Sequence, residues 1–167
     1  MLKSKEEPVF LSEKAKKLLP TIDFADTFST TNHTDSIQEI TLKIFNTAPS
    51  WVKFLFKIRN SIVQVFGIKT SIPKAYSTDV KVGGAIKFFK IYDIAPSEII
   101  LGANENHLNF RAIVSNTSAT AHNIKVTTLV AYNNRMGKTY MRLIKPFHKW
   151  IVKRMVSQAF QQPEKNN

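Results

Sequence analysis

Two basic side chains interrupt apolar helix faces, and they are the first candidates for chemistry. At about 100° per residue, Arg59 falls inside the apolar arc of a predicted helix over residues 50–66, and His148 falls inside that of a predicted helix over residues 145–161. An arginine in such a position either reaches water along its apolar stem or pairs with an anion. A histidine there either bonds to the backbone inside the core or contacts a ligand in a neighbouring cavity. Both residues are therefore candidates for the polar end of a binding site.

The strand HLNFRAIVS supplies a second set of polar candidates. Its residues alternate between apolar and polar, which is the period-two pattern of a β-strand. The polar set faces solvent in most antiparallel sheets but would line the cavity of a ligand-holding sheet, and alternation alone does not choose between them. The apolar set is Leu108, Phe110, Ala112 and Val114, the polar set is His107, Asn109, Arg111 and Ser115, and Tyr140 and Asn133 are weaker candidates on neighbouring strands. The ligand-binding candidates taken together are Arg59, His107, Asn109, Arg111, Tyr140 and His148.

The sequence carries no recognisable catalytic, metal or cofactor motif. Its 4 histidines are scattered without H-E-x-x-H or other paired spacing, and cysteine is absent. No P-loop, nucleophile elbow or glycine-rich phosphate loop occurs. We therefore predict no metal, no cofactor and no named catalytic residue. A triad assembled only in three dimensions stays open, so enzymatic activity is undecided, with a non-enzymatic role favoured.

The charge is strongly positive and unevenly placed. The net charge is +12, no acid occurs between residues 40 and 78, and Glu164 is the only acid from His107 to the end. Such a field attracts anionic ligands, anionic lipid or nucleic acid, and the alternative is a solvated basic surface. No nucleic-acid-binding motif accompanies the charge, so nucleic acid is not expected. An anionic membrane surface remains the open macromolecular alternative, and the oligomeric state is not indicated.

The absence of cysteine fits a reducing compartment. The first residues, MLKSKEEPVFLSEKAKK, are charged and lack the apolar core of a secretory signal. No run of about eighteen apolar residues occurs, so no transmembrane helix is expected. These features predict a cytoplasmic protein.

The element order is predicted from periodicity and turn residues. Residues 1–20 read as a polar arm with a short helix near 12–19, residues 21–161 as one domain, and 162–167 as a polar tail. Ser36 and Glu39 form a capping box that starts a helix. The strand-like runs are GGAIKFFKIYD, EIILG, HLNFRAIVS, NIKVTTLVAYN and KTYMRL, followed by a helix with Pro146 in its first turn.

This order predicts an α+β fold in which one antiparallel sheet, from Val82 to Leu143, is crossed by the helix Lys145–Gln161. A curved sheet gripping a long C-terminal helix leaves room for a cavity between the two. On that helix the predicted inward arc is Ile144, Phe147, Ile151, Val152, Met155 and Ala159, and Lys149, Lys153 and Ser157 are predicted to face outward.

Several segments resemble the family called domain of unknown function 2867. They are PSWVKFLFKIRNSIVQVFGIKT, EIILGANENHLNFR, VTTLVAYNNRMGKTYM and IKPFHKWIV, and the resemblance runs from about Ala25 to Met155. It implies a START-like, helix-grip fold, which in some members follows a nicotinamide-dinucleotide-binding domain. This chain has no G-x-G-x-x-G segment of that kind. Family members usually carry acids where this chain has Asn106 and Asn109, so an acid–base role at those positions is not implied.

Three functional hypotheses follow. The first is a helix-grip domain that binds a small, largely apolar and possibly anionic ligand between sheet and helix. The second is a basic interaction module for anionic membrane or nucleic acid. The third is an enzyme that acts on a cyclic or carbonyl substrate, related to cyclases or reductases.

Overall fold

A computed structural model describes residues 3–46, 60–61, 64–65, 80–87 and 89–161. Apolar and β-branched runs form the strands, and segments with helical periodicity form the helices. The strands are β1 (Ser4–Glu7), β2 (Phe24–Thr30), β3 (Ala85–Ile86), β4 (Phe89–Ala95), β5 (Glu98–Asn104), β6 (Leu108–Asn116) and β7 (Ile124–Tyr132), and the helices are α1 (Glu13–Lys16), α2 (Ile37–Phe45) and α3 (Arg135–Ser157). The predicted helix over residues 50–66 and the tail 162–167 lie almost entirely outside the described residues.

The strands form one curved, open antiparallel sheet of 7 strands in the order β1-β2-β7-β6-β5-β4-β3. Consecutive strands from β3 to β7 are neighbours, as the short connections predict. The N-terminal hairpin β1–β2 then pairs with β7, with Phe24 opposite Val130 and Thr30 opposite Ile124. The α+β prediction is confirmed, since α3 packs against this sheet.

Both faces of the sheet are buried, which explains its long apolar runs. On the inner face, Ile99 and Leu101 join a core with residues of α2 and α3. On the outer face, Ile100 joins a second core with Ala15 and Leu19 from the N-terminal segment. The run EIILG is therefore continuous because its alternate residues enter two different cores.

The predicted capping box at α2 is confirmed. The Ser36 hydroxyl accepts a bond from the Glu39 amide at 3.3 Å, and the Glu39 carboxylate accepts one from the Ser36 amide at 2.8 Å. These two bonds satisfy amide groups that a helix start leaves open.

The prediction of a strand at KTYMRL is wrong, because these residues belong to α3. The helix begins at Arg135, where the Asn134 side chain caps it by accepting a bond from the Gly137 amide at 3.0 Å. Pro146 lies inside the helix instead of in its first turn. It is exposed, as is Arg142 one turn earlier, so water can solvate the carbonyl that proline leaves without a donor.

Most of the predicted inward arc of the helix packs on the cores, but the two flanks of the helix differ from the prediction. Phe147, predicted to point inward, is exposed. Lys149, predicted to point outward, pairs with Glu6 of β1. The Ser157 hydroxyl, also predicted to point outward, lies 2.7 Å from the Ser4 hydroxyl of β1. The reason is that β1 lies beside the helix, so one of its polar flanks is also covered.

The sheet has different limits from those predicted for it. It ends at Tyr132 and not at Leu143, and it includes β1 and β2 from the N-terminal part. Residues assigned from sequence to a polar arm thus contribute β1, and α1 within the predicted 12–19 helix. β1 pairs with β2, and β2 pairs with β7, which is about a hundred residues distant in sequence. A local sequence pattern does not reveal such a pairing.

Candidate functional site

A carboxylate and an imidazole meet between the sheet and α3. Asp26 lies on the inner face of β2 and is 2% exposed. The Nε2 atom of His148 lies 3.1 Å from one Asp26 oxygen and 3.4 Å from the other. His148 thus points toward the sheet, as its place on the helix predicts, and its partner is a buried carboxylate and not the backbone.

The pair defines what His148 can offer a ligand. A proton on Nε2 is donated to Asp26, which holds the ring in one orientation. Among the described residues no hydrogen bond reaches Nδ1, and the His148 side chain is 19% exposed. With a neutral ring, Nδ1 accepts a bond from a hydroxyl group; with a charged ring, it donates to an oxyanion.

Phe24 contacts His148, and further aromatic side chains lie on the same face of the sheet. The Phe24 ring meets the His148 ring edge-on, with centroids 5.6 Å apart. Phe110 packs edge-on against Phe89 at 5.8 Å, and Phe89 against Phe45 at 4.9 Å. Most members of this aromatic wall are only partly buried, so the inner face offers apolar surface beside one imidazole. The partly buried members are Phe24, Phe89, Phe110 and Tyr132.

His107 and Tyr140 come together, but at the start of α3. Their rings are edge-on at 4.9 Å, and both side chains are buried. The Nδ1 atom of His107 lies 3.6 Å from a Glu105 oxygen. The His107 carbonyl accepts the Asn133 amide at 3.0 Å and faces Gly137 so closely that a Cβ there would lie 1.9 Å from it. This pair therefore fixes α3 on the β5–β6 turn.

Arg111 lies on the outer face, away from α3. Its guanidinium stacks on the Tyr92 ring at 3.9 Å and donates to the Asn104 side chain at 2.9 Å and the Phe110 carbonyl at 2.8 Å. Burial lowers the pKa of Arg111, and Tyr92 opposes this only in part. The Arg111 side chain fits here because residue 102 is glycine. A Cβ at that position would lie 3.0 Å from the Arg111 side chain and 2.1 Å from the Phe110 carbonyl oxygen.

The predicted candidates therefore do not form one site. Asn109 shares the outer face with Arg111 and accepts a bond from the Asn133 side chain at 3.1 Å. Arg59 lies outside the described residues. Of the predicted set, His148 alone is described between the middle of α3 and the sheet, and its partner Asp26 was missed. The signal for Asp26 was the alternation Phe24, Asp26, Phe28, which places a carboxylate on an apolar strand face.

A family model described as protein of unknown function (DUF2867) matches residues 18–155. The chain belongs to that family. No curated protein and no solved structure matches it. The DUF2867 match spans β2 to α3, so Asp26 and His148 both lie inside it, while β1 lies before it.

Proposed function

We propose that this DUF2867 chain binds a small, largely apolar ligand between the inner sheet face and α3, with an oxygen of the ligand on Nδ1 of His148. The observation that carries the proposal is the Asp26–His148 pair, set beside partly exposed aromatic side chains. The aromatic wall would hold the apolar body, and the imidazole would hold the polar end.

The cost of burying Asp26 supports a functional role. A carboxylate taken from water loses several kcal/mol of solvation, and a single ion pair repays this only with good geometry and further hydrogen bonds. One Asp26 oxygen makes no hydrogen bond of good geometry, and His148 approaches it as a charge partner at 3.1 Å. An apolar pair would serve stability alone at least as well.

Native mass spectrometry of the purified chain, followed by calorimetric titration of aliphatic and aromatic acids and alcohols, tests the proposal. His148→Gln should weaken the best ligand roughly ten- to a hundredfold, the equivalent of about 1.5–3 kcal/mol for a charge-assisted bond. Asp26→Asn should weaken it less, because the ring loses its orientation but remains. His33→Gln is the matched control, since His33 is exposed and, among the described residues, bonds to the Thr120 carbonyl alone.

Preference for acids over alcohols would indicate a charged imidazole. Arg59→Met then tests whether Arg59, a candidate from the sequence, also binds the anionic group of the ligand. Equal affinity in the wild type and His148→Gln, with the fold intact, would overturn the assignment. Failure of the whole panel to bind, with no co-purified molecule, would overturn ligand binding itself.

Proton transfer is the second candidate, because a carboxylate that orients an imidazole is the arrangement of a general base. In that case a bound ligand would be converted, and Asp26→Asn would lower kcat more than it raises KM. Product detection by mass spectrometry after incubation separates this from simple binding.

A further inference from the structure

One exposed flank of α3 carries large apolar side chains. Leu143, Phe147 and Trp150 are 49%, 51% and 43% exposed and follow each other at helical spacing. They continue the apolar arc that packs on the sheet through Tyr140 and Ile144. The arc is thus wider than the surface the sheet covers.

The same helix is basic without a single acid. Its sequence from Arg135 to Ser157 contains no aspartate or glutamate. Lys149 pairs with Glu6, but no described carboxylate pairs with the exposed cations of the helix. These exposed cations are Arg135, Lys138, Arg142, Lys145 and Arg154.

We propose that this flank of α3 docks on the interface of an anionic lipid bilayer. Apolar and aromatic side chains enter the boundary between head groups and acyl chains, while cations beside them meet anionic head groups. The Arg154 guanidinium lies 5.1 Å from the Trp150 ring centre, which places a cation next to an indole suited to that boundary. No helix among the described residues has the length and hydropathy to cross a bilayer, so α3 would lie along the surface.

Two features favour lipid over other anionic partners. Nucleic acid is bound through phosphate contacts, base edges and, in single strands, stacking on aromatic rings, and none of these requires an exposed aliphatic side chain such as Leu143. A protein partner would be expected to offer complementary acids to a surface with cations only, whereas anionic lipids supply both negative charge and an apolar layer. The proposal is independent of ligand binding at His148.

The direct test is co-sedimentation with phosphatidylcholine vesicles, with and without phosphatidylserine, over a range of salt concentrations. Binding should require phosphatidylserine and fall steeply with salt, because the attraction is screened within about 8 Å at physiological ionic strength. Arg135→Gln and Arg142→Gln should each weaken binding about fivefold. Lys17→Gln, an exposed cation next to α1, should leave it unchanged.

The apolar contribution is tested with Leu143→Ala and Phe147→Ala, which together should weaken binding at least tenfold. The matched control is Phe10→Ala, because Phe10 is 82% exposed but lies on the N-terminal segment. In a Trp51→Phe chain Trp150 is the only tryptophan, and its emission should shift to the blue on vesicle binding.

Loss of binding in the arginine variants alone, with Leu143→Ala/Phe147→Ala unchanged, would overturn the proposal in favour of a general electrostatic attraction. So would tighter binding to a short nucleic-acid duplex than to vesicles, or an unshifted Trp150 emission. His148→Gln should leave vesicle binding unchanged, which separates this test from that of the ligand site.

Discussion

At the scale of single residues, Glu7 is a carboxylate of β1 that contacts both β2 and β7. It accepts bonds from Ser29 at 2.7 Å, Lys125 at 2.9 Å and Lys5 at 3.2 Å. Burial alone would raise its pKa, but these three donors outweigh burial and lower the pKa from 4.5 to about 2.

Glu7 therefore gives a pH-dependent contribution to stability. Because its pKa is depressed in the folded chain, the stabilisation is complete above pH 4.5 and is lost as pH falls to about 2. Glu7→Gln should lower the free energy of unfolding at neutral pH by about 1–3 kcal/mol, discounting for the exposed lysines, and flatten its fall over that window. Urea unfolding at a series of pH values measures both effects.

Glu13→Gln is the control for Glu7, since Glu13 is exposed and its ion pair within the described part of the chain is with Lys16 on its own helix. An equal acid-induced loss in the wild type and Glu7→Gln would show that other carboxylates control acid unfolding.

The sequence predicted which sheet face a side chain lies on better than it predicted which residues that side chain contacts. Alternation placed Arg111 opposite Phe110, and the structure agrees. It could not show that the outer face is also buried, because the covering helix α1 has only 4 residues and gives little periodic signal. In the sequence, Asp26 is recognisable only as a carboxylate on a strand face between two phenylalanines. Its role as a partner of His148 depends on a residue more than a hundred positions away.

At the scale of elements, Gly137 sets how closely α3 meets the β5–β6 turn. Alanine in place of glycine normally stabilises a helix by about 1 kcal/mol. Here the added Cβ would lie 1.9 Å from the His107 carbonyl oxygen, so backbone must move. Gly137→Ala should instead destabilise the chain by about 1–3 kcal/mol, measured as a lower urea midpoint.

Thr139→Ala provides the control in the same helical turn, because Thr139 is exposed and its hydroxyl bonds to the carbonyl of Arg135 in the preceding turn. It should change stability by less than about 0.5 kcal/mol. A raised midpoint in Gly137→Ala would mean that the helix and the turn are not in close contact.

The same glycine explains why the start of α3 was misread. NNRMG resembles a turn, and the following threonine, tyrosine and methionine resemble a strand. Asn134 is the cap and Gly137 the point of close contact, so both residues serve the helix and not a turn. Tertiary contact thus overrides the local preference, whereas at α2 the capping box and the apolar period agree and the prediction holds.

At the scale of the whole molecule, the N-terminal segment covers the outer face of a sheet built mostly from the second half of the chain. Ala15 and Leu19 are buried against Ile100, Ile113 and Leu129. Leu11, Leu18 and Ile22 pack on the same cluster. The outer face of the sheet is therefore closed by this N-terminal segment, and the inner face by α2 and the C-terminal helix α3.

Two truncations separate the roles of this region. A chain starting at residue 9 loses β1 and its contacts to α3 but keeps the outer cover, whereas one starting at residue 23 loses the cover as well. Removing the covering leucines and isoleucine should cost on the order of 5–10 kcal/mol, comparable with the whole stability of a typical domain. The longer truncation should bind ANS and lose cooperative unfolding, while the shorter one should unfold cooperatively at a lower midpoint. Leu19→Ala in the full chain, with an expected loss of about 2–4 kcal/mol, tests the cover without any deletion. Cooperative, ANS-negative unfolding of the chain starting at residue 23 would show that the outer face does not depend on this segment.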